Sequence, residues 1–172
     1  YTFIKHFALN DQENLRGDQG MTGLCTWSNE QAIREIYLKP FEMCIMNDPV
    51  TIQYVKGDGN GGYENATAEI PPVLALMSAF NRLGYTWTGG CYPLLTGVLR
   101  NEWGFNGFVI TDSAYSSGVD MNAYQMIEAG GDAKLMRDDE KGYWEFKKDD
   151  PAYYHYSRNA VHHILYAVVN SK

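Results

Sequence analysis

Basic residues, cysteines and long apolar runs are all scarce in this sequence of 172 residues. Its 14 Lys and Arg are outnumbered by 21 Asp and Glu, and the resulting net charge of −7 argues against a nucleic-acid partner. Cys25, Cys44 and Cys91 are odd in number and widely spaced, so neither a disulfide framework nor a zinc site is indicated. Apolar stretches reach only about ten residues, half of a bilayer span, so we expect a soluble chain with no membrane partner.

The chain does contain an alternation of strand-like and helix-like segments. Apolar segments bounded by turn residues predict four strands, at 2–7, 73–80, 107–112 and 133–136. Apolar residues at helical spacing predict four helices, at 28–45, 92–103, 119–129 and 151–172. In the first helix, Ser28 and Gln31 are spaced as a capping box and Pro40 predicts a kink.

Successive strand and helix pairs predict an α/β fold with a parallel sheet, either doubly wound or part of a (β/α)8 barrel. Ligands of such folds bind at the carboxyl ends of the strands. Lys5 and His6 end the first strand, Arg82 follows the second, and Asp112 ends the third. These residues are expected to gather at one edge, although local pattern alone also allows a helix-capping Asp112 and a core His6.

Two further segments complete the prediction. The stretch 47–72 is too long for an ordinary connection, and we expect a surface loop excursion there. It matches a calcium-loop template at Asp58 and Asn60 but not at the required glycine, so it does not predict a metal site. In the terminal helix, an apolar stripe is predicted to face the core, and it consists of Val161, Ile164, Leu165, Val168 and Val169.

Four longer motifs carry a resemblance to a known family. They are KHFALNDQE (5–13), IREIYLKPFE (33–42), MSAFNRLG (77–84) and LLTGVLRNEWGFNGFVITD (94–112). The chain resembles the second half of the N-terminal barrel domain of family-3 glycoside hydrolases, the β-glucosidase type. This resemblance implies that 1–172 is a single partial domain, with four βα units forming about half of a TIM-type (β/α)8 barrel. The helix at 151–172 would then lead toward a second domain outside the chain.

The resemblance also implies roles for individual residues. Asp112 matches the nucleophile that forms a covalent glycosyl-enzyme, and Lys5 and His6 match the pair that hydrogen-bonds sugar hydroxyls. Met77 and Phe80 are expected near the same sugar, and Arg82 is expected either to bind sugar hydroxyls or to form a salt bridge. Many relatives carry tyrosine in place of Phe80 and tryptophan in place of Ser113, which affects one wall of the sugar pocket. No metal or cofactor is implied, because two carboxyl groups suffice for this chemistry.

The acid/base carboxyl of a retaining glycosidase has no convincing match in this sequence. Asp11 and Glu13 fall in a loop, and Asp120 and Glu128 fall in a helix. We therefore expect a nucleophile-bearing segment of an exo-acting β-glycosidase, whose partners are a β-linked saccharide, the other barrel half and the acid/base domain. The alternative is a non-catalytic half-barrel, structural or sugar-binding, that forms a homodimer through its open seam. The sequence does not define a compartment.

Overall fold

The fold was examined in a computed structural model that describes residues 2–14, 24–114, 121–136, 147 and 149–171. Two helical segments, Ile33–Tyr37 and Pro93–Glu102, have wide π-type turns, and a short turn of 3₁₀ helix covers Thr88–Gly90. The other described elements are, in chain order, β1 (Phe3–Phe7), β2 (Cys25–Thr26), α1 (Glu30–Ala32), α2 (Lys39–Ile45), β3 (Val50–Gly57), β4 (Tyr63–Ile70), β5 (Ala75–Ser78), β6 (Arg82–Leu83), β7 (Thr86–Trp87), β8 (Phe108–Ser113), α3 (Ala123–Ala129), β9 (Ala133–Leu135) and α4 (Pro151–Asn170).

The central sheet is parallel and contains β1, β5, β8 and β9 side by side in that order. Each of the four strands predicted from the sequence contributes to it, and each strand is followed in the chain by helical structure. The mixed α/β class with a parallel sheet is therefore confirmed. Because all four strands run the same way, their carboxyl ends lie at one edge of the sheet.

One face of this sheet is covered by helices. Leu76 of β5 and Val109 of β8 are buried there against Leu95 and Leu99 of the Pro93–Glu102 helix. Burial of each such side chain stabilises the fold by roughly 1.5–3 kcal/mol. The opposite face is only half-buried, and it includes an edge-to-face contact of the Phe3 and Phe108 rings at 5.4 Å. The sheet is thus covered on one side and open on the other.

The helix predicted at 28–45 is present but divided. Asn29, not Ser28, caps it, because the Asn29 side chain accepts a hydrogen bond of 2.8 Å from the Ala32 N–H. Pro40 lies in the first turn of a new helix, α2, and so marks a break instead of a kink within one helix. The end predicted for the helix at 119–129 is confirmed, since α3 ends at Ala129 and Gly130 follows it with a left-handed φ of 101°.

A second group of buried side chains lies between the carboxyl ends of the strands and the last two helices. It includes Phe80, Trp87, Met126, Tyr153 and Ala160. The terminal helix is therefore anchored through Tyr153 and Ala160, and the prediction of an inward apolar stripe is wrong. Exposed fractions are high along most of that stripe, at Val161 (54%), Leu165 (55%), Val168 (50%) and Val169 (67%).

The segment predicted as a loop at 47–72 is an antiparallel hairpin. Strands β3 and β4 pair in continuous register from Val50 opposite Ile70 to Gly57 opposite Tyr63. The turn is closed by Asp58, whose side chain accepts hydrogen bonds from the Asn60 and Gly62 N–H groups. The excursion is therefore ordered secondary structure that leaves the central sheet and returns to it.

A buried carboxylate joins three parts of the fold. The Asp132 side chain is only 1% exposed, and its Oδ2 accepts hydrogen bonds of 2.7 Å from both Arg100 and the Val109 N–H. Its Oδ1 lies 2.7 Å from His163 Nδ1 on α4. Asp132 thus connects the beginning of β8, the Pro93–Glu102 helix and the terminal helix.

Arg100 forms further hydrogen bonds around this carboxylate. Its guanidinium also donates to the carbonyl groups of Gly130, Phe105 and Gly107. Burial lowers the pKa of Arg100 from its ordinary value, and the neighbouring Asp132 carboxylate opposes that change. The Asp132 carboxylate therefore compensates the charge of the buried guanidinium.

We predict that Asp132→Asn destabilises the protein by about 3 kcal/mol, because it leaves Arg100 buried without a compensating charge. Urea unfolding followed by circular dichroism measures the change in the free energy of unfolding. The control is Glu102→Gln, which removes an exposed bidentate pair with Arg34 and should have a small effect. Equal effects of the two substitutions would contradict the role assigned to Asp132.

Candidate active site

The site residues predicted from the sequence lie on neighbouring strands. His6 is the fourth residue of β1, Met77 the third of β5, and Asp112 the fifth of β8. Strand β5 lies between the other two, so a contact between His6 and Asp112 must cross its carboxyl end. His6 and Asp112 can still meet, because the three strands are parallel and their carboxyl ends lie at the same edge of the sheet.

His6 and Asp112 make this contact. His6 Nε2 lies 3.2 Å from Asp112 Oδ2, while Asp112 Oδ1 accepts a hydrogen bond of 2.7 Å from the Ser113 N–H. The Asp112 side chain is 16% exposed and the His6 side chain 34% exposed. Both carboxylate oxygens are therefore held in place, and the group stays accessible from solvent.

The remaining predicted residues differ in their surroundings. Lys5 is exposed, next to His6 on β1, and Met77 is half-buried opposite Ile110 of β8. Phe80 is 7% exposed and belongs to the second buried group instead of an open wall. Arg82 lies on β6, in a separate three-stranded sheet with β2 and β7, and donates to the Tyr85 carbonyl at 3.2 Å. The structure therefore brings His6 and Asp112 together most directly.

Asn81 is a positioning residue that the sequence did not single out. It is 1% exposed, and its side-chain amide donates to the Ala8 and Leu9 carbonyl groups at 3.0 and 3.1 Å and to Thr26 Oγ1 at 3.2 Å. These bonds tie the chain that leaves β1 to the chain that leaves β5. They fix the end of the strand that carries His6, and no local pattern could have indicated them, since the partners are 55 to 73 residues apart.

The other acidic residues considered from the sequence have different surroundings. Glu13 accepts a short hydrogen bond from the Asn10 amide, which bridges the loop after β1 as expected. Glu128 is exposed on α3, and Asp120 lies outside the described residues. Within the described part of the chain, no cluster of three or more His, Cys, Asp or Glu side chains could hold a metal ion. No helix among those residues is long and apolar enough to cross a membrane.

A concavity of about 370 Å³ lies beside the end of β1. The loop after β1 contributes Leu9 and Asp11 to its walls, and the chain after β2 contributes Trp27. The Trp27 ring is 65% exposed and meets the 82% exposed Tyr85 ring edge-to-face at 5.0 Å. Exposed aromatic surface thus borders the same end of the fold as the His6 and Asp112 pair.

Sequence comparison identifies relatives of one kind. A β-glucosidase from Rhizobium radiobacter is 36% identical to this chain over 130 residues, which are 74% of this chain and 12% of the relative. β-Glucosidase B from Emericella nidulans is 33% identical over 141 residues, which are 80% of this chain and 13% of the relative. No protein-family model matches the chain.

Solved structures of β-glucosidases have a fold similar to that of this chain. β-Glucosidase 3B from Thermotoga neapolitana, solved in complex with glucose, superposes with a TM-score of 0.63 at 25% identity, over 97% of this chain and 20% of that one. A GH3 β-glucosidase from Bifidobacterium adolescentis superposes with a TM-score of 0.64 at 23% identity, over 98% of this chain and 20% of that one. At the latter identity the likeness concerns the fold alone.

The chain spans a small part of the proteins it matches, 12 and 13% of the two curated relatives and 20% of the two solved structures. The similarity nevertheless extends over 97% or more of this chain in each structure. The chain belongs to the family-3 glycoside hydrolases of the β-glucosidase type, and it corresponds to one segment of those longer enzymes.

Proposed function

We propose that this chain carries the catalytic nucleophile of a retaining, exo-acting β-glycosidase, and that the nucleophile is Asp112. The observation that carries the proposal is the contact of His6 Nε2 with Asp112 Oδ2 at 3.2 Å, at the carboxyl edge of the parallel sheet. Relatives that are named β-glucosidases make a terminal β-linked glucoside the leading substrate.

The geometry suits a carboxylate nucleophile. In the first step, one Asp112 oxygen attacks the anomeric carbon, the glycosidic C–O bond breaks, and the leaving oxygen takes a proton from an acid/base carboxyl. In the second step, a water molecule gives one of its protons to the acid/base carboxylate while its oxygen attacks the anomeric carbon. The bond to Asp112 breaks, and the sugar leaves with retained configuration. The Ser113 N–H and His6 stabilise the carboxylate in the resting site and orient it for attack.

Sugar recognition is assigned to residues around this carboxylate. Lys5 and His6 would donate hydrogen bonds to sugar hydroxyl groups, and Met77 would contact the ring from the intervening strand. Arg82 would bind sugar hydroxyl groups from the three-stranded sheet. Phe80 would hold the pocket in place through its contacts in the second buried group. Solvent-exposed Lys5 and partly exposed His6 are free to meet a ligand at the sheet edge.

We also propose that the parallel sheet is part of a TIM-type barrel completed by other strands of the whole enzyme. The helix-covered face resembles the outside of such a barrel, while the open face carries half-buried Phe3, Met77 and Ile110. Apolar side chains on an uncovered face need further strands to bury them. The acid/base carboxyl would come from another domain of the same enzyme.

The first prediction from this proposal concerns covalent capture of a sugar. An activated 2-deoxy-2-fluoro glucoside, whose leaving group departs without acid help, should add one fluorosugar to the chain at Asp112. Intact mass and peptide mapping measure the product. Asp112→Asn should abolish the addition while the circular dichroism spectrum is unchanged, because the amide is not a nucleophile.

Labelling of another residue, or equal labelling of Asp112→Asn, would show that Asp112 is not the nucleophile. A folded chain that binds glucose but takes up no label would instead favour a sugar-binding half-barrel. Both results are read from the same mass spectrum together with a titration with glucose.

The second prediction concerns His6. His6→Ala should slow capture of the fluorosugar roughly 10-fold to 100-fold, because it removes a hydrogen bond to a charged group and a sugar contact. The rate is followed by intact mass as a function of time. The matched control is His155→Ala, on the exposed surface of α4, which should leave the rate unchanged. A His6→Ala rate within twofold of the wild type would exclude His6 from the site.

A further inference from the structure

The β3–β4 hairpin extends from the edge of the sheet opposite the candidate active site. It lies between the end of α2 and the beginning of β5, so its base is at the amino ends of the parallel strands. His6 and Asp112 lie at the carboxyl ends. The hairpin therefore forms no wall of the proposed sugar site.

Few buried contacts join the hairpin to the rest of the described fold. None of its described residues belongs to either buried group, and Val55 and Tyr63 are 63% and 81% exposed. A two-stranded hairpin in water is only marginally stable without a further strand or a packing surface. One of its faces is nonetheless apolar and continuous, formed by Val50, Ile52, Tyr54, Ala66, Ala68 and Ile70.

Backbone hydrogen bonding defines which groups of β3 point outward. The Asp58 N–H donates to the Gly62 carbonyl, so this pair is hydrogen-bonded inward. Because inward and outward pairs alternate along an antiparallel ladder, the backbone groups of Thr51, Gln53 and Val55 point away from β4. Among the described residues no further strand pairs with these groups, so they form an edge with the donors and acceptors that another strand requires.

The two edges of the hairpin differ in charge. Strand β4 carries Glu64 and Glu69, and charged side chains on an edge oppose strand addition. Strand β3 carries no carboxylate, and its single charge, Lys56, lies near the turn and pairs with Glu64 at 3.0 Å. The central run Thr51–Val55 is rich in β-branched and aromatic residues, has no proline and no charge, and so favours pairing.

We propose that the β3 edge pairs with the β3 edge of a second copy of this chain, forming a four-stranded antiparallel sheet across a two-fold axis. In an antiparallel pair centred near Gln53, the two Lys56 side chains lie at opposite ends of the strand pair, so the charges that β3 itself carries do not meet. Pairing of two β4 edges would place the four carboxylates of Glu64 and Glu69 on one strand pair. Pairing of β3 with β4 of another copy would not close, since it leaves a free edge at each end.

The test is sedimentation velocity of the chain over a range of concentrations, with one matched pair of variants. Gln53 and Thr67 lie directly opposite each other, and both have outward backbone groups. Gln53→Pro removes an outward N–H of β3 and leaves the β3–β4 ladder intact, and Thr67→Pro does the same on β4. The wild type should dimerise, Gln53→Pro should weaken the dimer at least about tenfold, and Thr67→Pro should not.

Gln53→Lys and Thr67→Lys repeat the comparison without a change of backbone, and circular dichroism verifies that every variant is folded. The Gln53→Lys dimer should again be the weaker one, because two added positive charges face each other across the axis. A monomeric wild type would overturn the proposal. So would equal effects of the β3 and β4 substitutions, which would indicate association through another surface, such as the open face of the sheet.

Discussion

A carboxylate as deeply buried as that of Asp132 is stable only if its neighbours compensate the charge. Arg100 does so, and the same carboxylate accepts the Val109 N–H at the beginning of β8 and contacts His163 of α4. These bonds fix where β8 begins relative to the helices. Asp112 lies on the same strand, four positions after its first residue, so the contacts that fix the beginning of β8 also fix the position of Asp112. The proposed nucleophile is thus positioned by an ion pair at the far end of its own strand.

The parallel arrangement of the four strands and the gathering of His6 and Asp112 at one edge of the sheet could be predicted from the sequence. Apolar runs identify the strands, helical segments between them impose a parallel arrangement, and parallel strand ends meet at one edge whatever the details of packing. The Asp132 cluster could not be predicted, because its partners are 23 to 32 residues apart and no local spacing connects them. The same limit applies to Asn81, whose amide joins two strand ends.

Two of the expectations that the structure corrects, the inward stripe of α4 and the loop at 47–72, have a common physical origin. Periodicity shows that a helix or strand has an apolar side, but the surroundings decide whether that side is covered. In α4 the small Ala160 and Ala167 allow close packing, so this face meets the core and the bulkier stripe with Val161 and Leu165 is exposed. In the hairpin, alternation between Ile52 and Tyr54 was present in the sequence, yet a long connection between α2 and β5 favoured a loop.

The two proposed sites lie at opposite ends of the parallel strands. At the carboxyl edge of the sheet, polar side chains must stay accessible to a ligand, so His6 and Asp112 are held by hydrogen bonds and are only partly buried. At the amino edge, the hairpin lies between α2 and β5 in the chain. An added strand there would bury apolar surface without approaching the sugar site. The Asp132 contacts that hold β8 are to Arg100, Val109 and His163, none of which lies in the hairpin, so strand addition to the hairpin is independent of the register that positions Asp112.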